Sequence, residues 1–116
     1  MRVYEIFYLL EGDLPDDRKK EVLQEVRNVL LEKSQILEEK EFGKRRLAYP
    51  IKKKIEGTYY LTYFTSPPDF IKRISTKLNQ MEGVLRHRIE RIDLIYKKYK
   101  MPIPGEVKKE VENVSN

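Results

Sequence analysis

Residues 3–10 read Val3-Tyr4-Glu5-Ile6-Phe7-Tyr8-Leu9-Leu10. Seven of the eight are β-branched, aromatic or aliphatic, the composition of a strand. Successive strand side chains alternate between faces, so Tyr4, Ile6, Tyr8 and Leu10 share one face and Val3, Glu5, Phe7 and Leu9 the other. With Glu5 its only charge, neither face suits water. Such a strand belongs in the middle of a sheet.

Working outward from this strand, Glu11-Gly12-Asp13 breaks it. Pro15 suits the first turn of a helix, with Asp16 and Asp17 at its positive end. Val22, Leu23, Val26, Val29 and Leu30 recur at helical spacing and carry that helix to about Lys33. Residues 35–51 form a long strand charged in its early half, as an edge strand would be, and Pro50 near its end agrees. A turn follows around Lys52 to Gly57. Thr58 to Thr65 then alternates Tyr59, Leu61 and Tyr63 against Tyr60, Thr62 and Phe64.

Ser66-Pro67-Pro68-Asp69 has the spacing of a capping box, ahead of a helix carrying Ile71, Ile74, Leu78 and Met81. Gly83 stops it. Val84 to Ile95 reads as a fourth strand, with Leu85, His87 and Ile89 on one face. If Leu85 and Ile89 point inward, Arg86, Arg88 and Glu90 point away from the helices. The order β-α-β-β-α-β specifies an α+β, ferredoxin-like split βαβ fold: a four-stranded antiparallel sheet with two helices on one face. Residues 1–95 make this domain. Residues 96–116, with Pro102, Pro104 and Gly105 close together, read as an extended, charged tail.

At 116 residues the chain has room for one self-supporting core. Charged residues make up 37% of it, well above the usual quarter, so the surface is densely ionic. It contains no cysteine, which excludes disulfides, thiolate metal sites and cysteine nucleophiles. No apolar run approaches the roughly 18–20 residues of a membrane span, and the N-terminus lacks a signal-peptide pattern. The expectation is a soluble, intracellular protein with no membrane contact.

The net charge of +5 hides a segregation. Residues 1–42 carry 7 basic and 11 acidic side chains, whereas residues 43–100 carry 15 and 5. Six cations fall within eleven residues at Lys44, Arg45, Arg46, Lys52, Lys53 and Lys54, flanking Leu47, Tyr49 and Ile51. Charge this dense on an ordered strand suits a phosphate backbone. It also suits an edge strand that uses lysines against aggregation, or arginines paired with Glu38, Glu39 or Glu41. Leu47, Tyr49 and Ile51 offer apolar area for a protein partner at the edge.

The block Gly43-Lys44-Arg45-Arg46-Leu47-Ala48-Tyr49-Pro50-Ile51, leading into Gly57-Thr58-Tyr59, resembles the S-six family of bacterial small-subunit ribosomal proteins. The opening Met1-Arg2-Val3-Tyr4-Glu5 is similar to that family's start. The resemblance covers residues 1–95. It implies a non-catalytic protein of the cytoplasmic ribosome that takes no cofactor, metal or small-molecule substrate. It also implies binding to the central domain of small-subunit ribosomal RNA, as a heterodimer with the S-eighteen ribosomal protein. The family places an arginine at Arg2 and at Arg86 and a cation at Arg91, and Arg88 joins them by strand face. The candidate RNA contacts are therefore Arg2, the six cations around Tyr49, and Arg86, Arg88 and Arg91.

Enzymatic readings find little support. Acylphosphatases share this topology but cradle phosphate in the first strand–helix loop, which here is acidic from Glu11 to Asp17. A single histidine, His87, leaves most triads and histidine-rich metal sites without members. We assign His87 no functional role. The runner-up is another RNA-binding module of the same topology. Gly57-Thr58-Tyr59-Tyr60-Leu61-Thr62-Tyr63 partly resembles the third-strand motif of RNA-recognition domains, with Thr58 standing where an aromatic is wanted. That reading makes Tyr60 a base-stacking residue. Tyr96-Lys97-Lys98-Tyr99-Lys100 interleaves aromatics with cations, a pattern suited to single-stranded RNA or to a solubilising end.

Overall fold

The computed structural model describes residues 2–100. Four strands, β1 (Arg2–Glu11), β2 (Gln35–Ile51), β3 (Lys54–Ser66) and β4 (Val84–Arg91), form one antiparallel sheet in the order β2-β3-β1-β4. The doubly apolar β1 is central and the charged β2 is an edge, as the alternation predicts. Helices α1 (Asp16–Leu31) and α2 (Ile71–Gln80) cover one face, and a 3-10 turn at Pro68–Phe70 leads into α2.

The core lies between that face and the helices. Tyr4, Ile6, Tyr8 and Leu10 of β1 meet Val22, Val26 and Leu30 of α1 and Ile74 and Leu78 of α2. Cross-strand rings stack within it, Tyr4 on Phe64 at 5.8 Å and Tyr8 on Tyr60 at 5.4 Å.

Four expectations need correction. The turn after β2 is only Lys52-Lys53, because both residues take a positive φ (49° and 66°) and make a two-residue hairpin. Lys54 to Gly57 therefore already belong to β3. The capping box is not formed: Ser66 is still paired with Arg2, fully buried, and its hydroxyl donates to the Pro67 carbonyl at 3.0 Å. Leu85 does not face the helices. A bulge between Leu9 and Leu10 sends it to the opposite face, where it packs with Leu9 and Leu47.

The fourth correction concerns the end of β4. That strand stops at Arg91, and Asp93–Lys98 forms a short helix, α3. Asp93 draws the chain out of the strand by accepting two bonds from Arg91, at 2.8 and 3.0 Å. Tyr96 then folds onto Val3, Tyr63 and Ile92 on the face away from α1 and α2. The domain limit expected at residue 95 thus falls inside a helix, and residues 96–98 are not extended. Residues 101–116 of the expected tail lie outside the described residues.

Candidate nucleic-acid interface

The hairpin of β2 and β3 is long, and its end leaves the plane of the sheet. Arg46 pairs with Glu56, pairing resumes only at Ile51 and Lys54, and the intervening residues bend. The bend carries Leu47 into a cluster with Leu9 of β1 and Leu85 of β4. Beyond it, Arg86 Nη1 donates to the Tyr49 hydroxyl at 2.9 Å, and Lys52 Nζ donates to the Val84 carbonyl at 3.5 Å. The tip therefore swings over the open face and reaches β4, two strands away. Gly57 permits the crossing, since a Cβ there would collide with Leu9 Cδ1.

This geometry sorts the candidate cations. Arg45, Arg46, Lys52 and Lys53 lie on the tip, all exposed, and the Tyr49 contact adds Arg86. Among the described residues none of these five forms an ion pair. Two of the three acids that might have taken Arg45 or Arg46, Glu39 and Glu41, are engaged by α1 instead. Glu39 accepts a fork from Arg27 at 2.8–3.1 Å, and Glu41 pairs with Lys19 at 3.0 Å. The Lys19 bond holds the Glu41 carboxyl below its usual range, the Tyr60 hydroxyl together with Glu41 raises Lys19, and Glu39 raises Arg27.

Four of the other five candidates are paired. Lys44 meets Glu56 at 3.1 Å and Lys54 meets Asp13 at 3.0 Å. Arg88 meets Glu90 at 3.2 Å. Arg91 is bound by Asp93, whose carboxyl that bond pulls down. Arg2 and Arg91 also sit at the far end of the sheet, since Arg2 pairs with Ser66 and Arg91 with Tyr4. The ten residues of β1 separate them from the tip, roughly 30 Å at strand rise. The candidates thus fall into two groups rather than one surface.

The proposed partner residues part company as well. Leu47 is only 9% exposed and already covered by this chain's own Leu9 and Leu85. Ile51 is half-buried beside them, and Tyr49 remains 55% exposed. Sequence reasoning missed two apolar side chains nearby, Phe42 and Ile55, both exposed. A bulge opposite Tyr59 turns Phe42 toward Phe7, which strand alternation does not signal.

Tyr60 cannot serve as a stacking platform, because it is buried on the helix side against Tyr8. The tyrosine on the open face is Tyr59, which stacks on Phe7 at 5.2 Å. His87 faces the helices, where its Nε2 lies 2.7 Å from the Ser75 hydroxyl and joins β4 to α2. Burial lowers its pKa. Among the described residues no acid hydrogen-bonds this pair, no group of acids and histidine could hold a metal ion, and no helix is long and apolar enough to cross a membrane.

Comparison with known proteins follows the same lines. The family model described as Ribosomal protein S6 matches residues 3–91. The small ribosomal subunit protein bS6 of Caldanaerobacter subterraneus subsp. tengcongensis is 40% identical over 94 residues, covering 80% of this chain and 99% of that one. Its counterpart in Fusobacterium nucleatum subsp. nucleatum is 34% identical over 94 residues, covering 80% and 100%. The crystal structure of 30S ribosomal protein S6 from Thermotoga maritima superposes with a TM-score of 0.76 at 24% identity, covering 85% and 95%, and so shares the fold.

Proposed function

The chain belongs to the ribosomal protein S6 family, and on that premise we propose that it binds the central domain of small-subunit ribosomal RNA with the S-eighteen ribosomal protein. The family is a non-enzymatic one of the small ribosomal subunit, and its place is the cytoplasmic ribosome. The work is positioning. A rigid sheet holds cations against phosphates, which fixes register and orientation without reading sequence.

The observation that supports this most is the set of unpaired cations gathered on one bent hairpin: Arg45, Arg46, Lys52, Lys53 and, through Tyr49, Arg86. Of the other candidates, Lys44, Lys54, Arg88 and Arg91 are paired, whereas these five are left to solvent. The turn itself points the same way. A hairpin with two left-handed residues is built most cheaply from Asn-Gly, and lysines at both places cost about 1–2 kcal/mol each. A phosphate contact gives those lysines a use that stability does not.

We place the S-eighteen protein against the β2–β3 hairpin, where Tyr49, Ile55 and Phe42 remain exposed. Leu47 supports that surface from beneath and is not itself a contact. Tyr49→Asp should then weaken the partner's affinity, and an unchanged affinity would move the partner elsewhere.

The test is binding of the purified chain to a central-domain RNA fragment, with and without the S-eighteen protein, across a salt series. Tight binding that depends on the partner and weakens steeply with salt is expected. Binding to neither molecule at low salt would contradict the proposal, leaving a ferredoxin-like domain without RNA.

A further inference from the structure

We propose that two copies of this chain pair through the free edge of β4, antiparallel and centred on Ile89, so that their two sheets become one. The contact needs no RNA and stands or falls independently of the binding proposed above.

The order β2-β3-β1-β4 gives the sheet two edges, and the charged β2 is only one of them. Among the described residues β4 pairs with β1 alone, so its outer side presents a row of unmatched N–H and C=O groups. The hairpin tip reaches this edge at one end, where Lys52 donates to the Val84 carbonyl and Arg86 to the Tyr49 hydroxyl. At the other end the Ile92 amide bonds back to the Val3 carbonyl, and α3 turns inward over Val3 and Tyr63. The stretch left open runs from His87 to Arg91, and Ile89 is its middle residue.

Charge on this stretch is unbalanced within one copy. Glu90 stands directly across from Glu5 of β1, a like-charge pairing that costs stability. Burial and Glu90 together raise the Glu5 carboxyl above its usual range. Arg88 of the same strand meets Glu90 at 3.2 Å, yet its side chain is 71% exposed. A further cation on the outer side of Glu90 would offset the repulsion.

The second copy supplies one. Two copies of a strand pair antiparallel about a two-fold axis that passes through a residue facing itself. Centred on His87, the axis would set Arg86 against Arg88; centred on Arg88 or Glu90, it would set that residue against its own like charge. Centred on Ile89, it sets Arg88 against Glu90 of the second copy, twice, with no like charges opposed. His87, whose pKa burial lowers, then faces Arg91 while uncharged at neutral pH. A foreign strand could add to the same edge, but self-pairing satisfies both charges twice. So short an overlap buries little area, which makes the dimer weak and reversible.

Sedimentation velocity of the full chain from about 10 μM to about 1 mM, the range of a weak interface, should show a monomer–dimer equilibrium. Arg88→Glu or Glu90→Arg alone opposes like charges twice and should weaken the dimer roughly tenfold or more. An equimolar mixture of the two variants should dimerise again, because each then meets its complement, and so should the Arg88→Glu/Glu90→Arg double variant. The chain has no cysteine, so Ile89→Cys adds a single thiol that should link to its twin under mild oxidation. A chain that stays monomeric throughout the range would overturn the proposal. So would dimers that both single variants leave intact, or a mixture that fails to recover them. Should a single variant unfold, the double variant and the Ile89→Cys link decide.

Discussion

Replacing Leu47 by alanine tests whether the hairpin tip is docked or merely drawn near the sheet. Leu47 sits in a strand whose neighbours Arg46, Ala48 and Tyr49 are all exposed, yet is itself 9% exposed, against Leu9 and Leu85. The substitution removes three methylene equivalents. At about 0.8 kcal/mol each this is about 2.4 kcal/mol of lost transfer energy. The cluster is small and at an edge, so collapse limits the added cavity term, and about 2–3 kcal/mol is expected. For a domain of this size that lowers Tm by about 10–20 °C. Thermal melts followed by circular dichroism measure it, with Ile55→Ala as control: Ile55 is on the same hairpin, 55% exposed, and should change stability by less than about 0.5 kcal/mol. Amides of residues 46–56 should exchange faster in Leu47→Ala, because the tip loses its anchor. If Leu47→Ala melts with Ile55→Ala, the tip does not dock, and the gathering of Arg86 with the hairpin cations fails with it.

Further outcomes follow from the same geometry. Gly57→Ala should destabilise by about 1–3 kcal/mol in a denaturant titration, since its Cβ collides with the buried Leu9 side chain and crowds the Leu10 carbonyl. Lys53→Gly should raise stability by about 0.5–1 kcal/mol by relieving the positive φ, while RNA affinity falls through the lost charge. The single histidine should make stability depend on pH. Burial depresses the folded pKa of His87 below the unfolded value near 6.5, so the unfolded chain binds more protons as pH falls through that value. Stability is therefore full above it and declines on acidification from about pH 7.5 to 5.5. His87→Gln should flatten that window in melts taken across it.

Much of the fold was legible because it rests on local patterns. One charge in eight residues placed β1 at the centre, and the charged half of 35–51 placed β2 at the edge. What escaped depended on contacts distant in sequence. No Asn-Gly marks Lys52-Lys53 as a tight turn, so the hairpin read as longer and looser than it is. Alternation predicted Leu85 inward because a bulge in the β1–β4 pairing leaves no trace in the composition of β4. Ser66 and Asp69 have capping spacing, but Ser66 is held in the sheet by Arg2. The cations were visible as a run. Which of them are free was not, because that depends on α1 delivering Lys19 and Arg27 to Glu41 and Glu39.

The account stands on the difference between paired and unpaired cations, and salt dependence measures it directly. Binding of the chain, with its protein partner, to the ribosomal RNA fragment should be followed from about 50 to 200 mM salt for Arg45→Gln/Arg46→Gln and for Lys54→Gln/Arg91→Gln. Each phosphate contact contributes about 0.7–0.9 to the slope of log affinity against log salt. The first pair should lower that slope by about 1.5–2, and the second, already neutralised by Asp13 and Asp93, should leave it nearly unchanged. Equal losses from both pairs would mean that net charge alone attracts the RNA and that the bent hairpin has no special part in holding it.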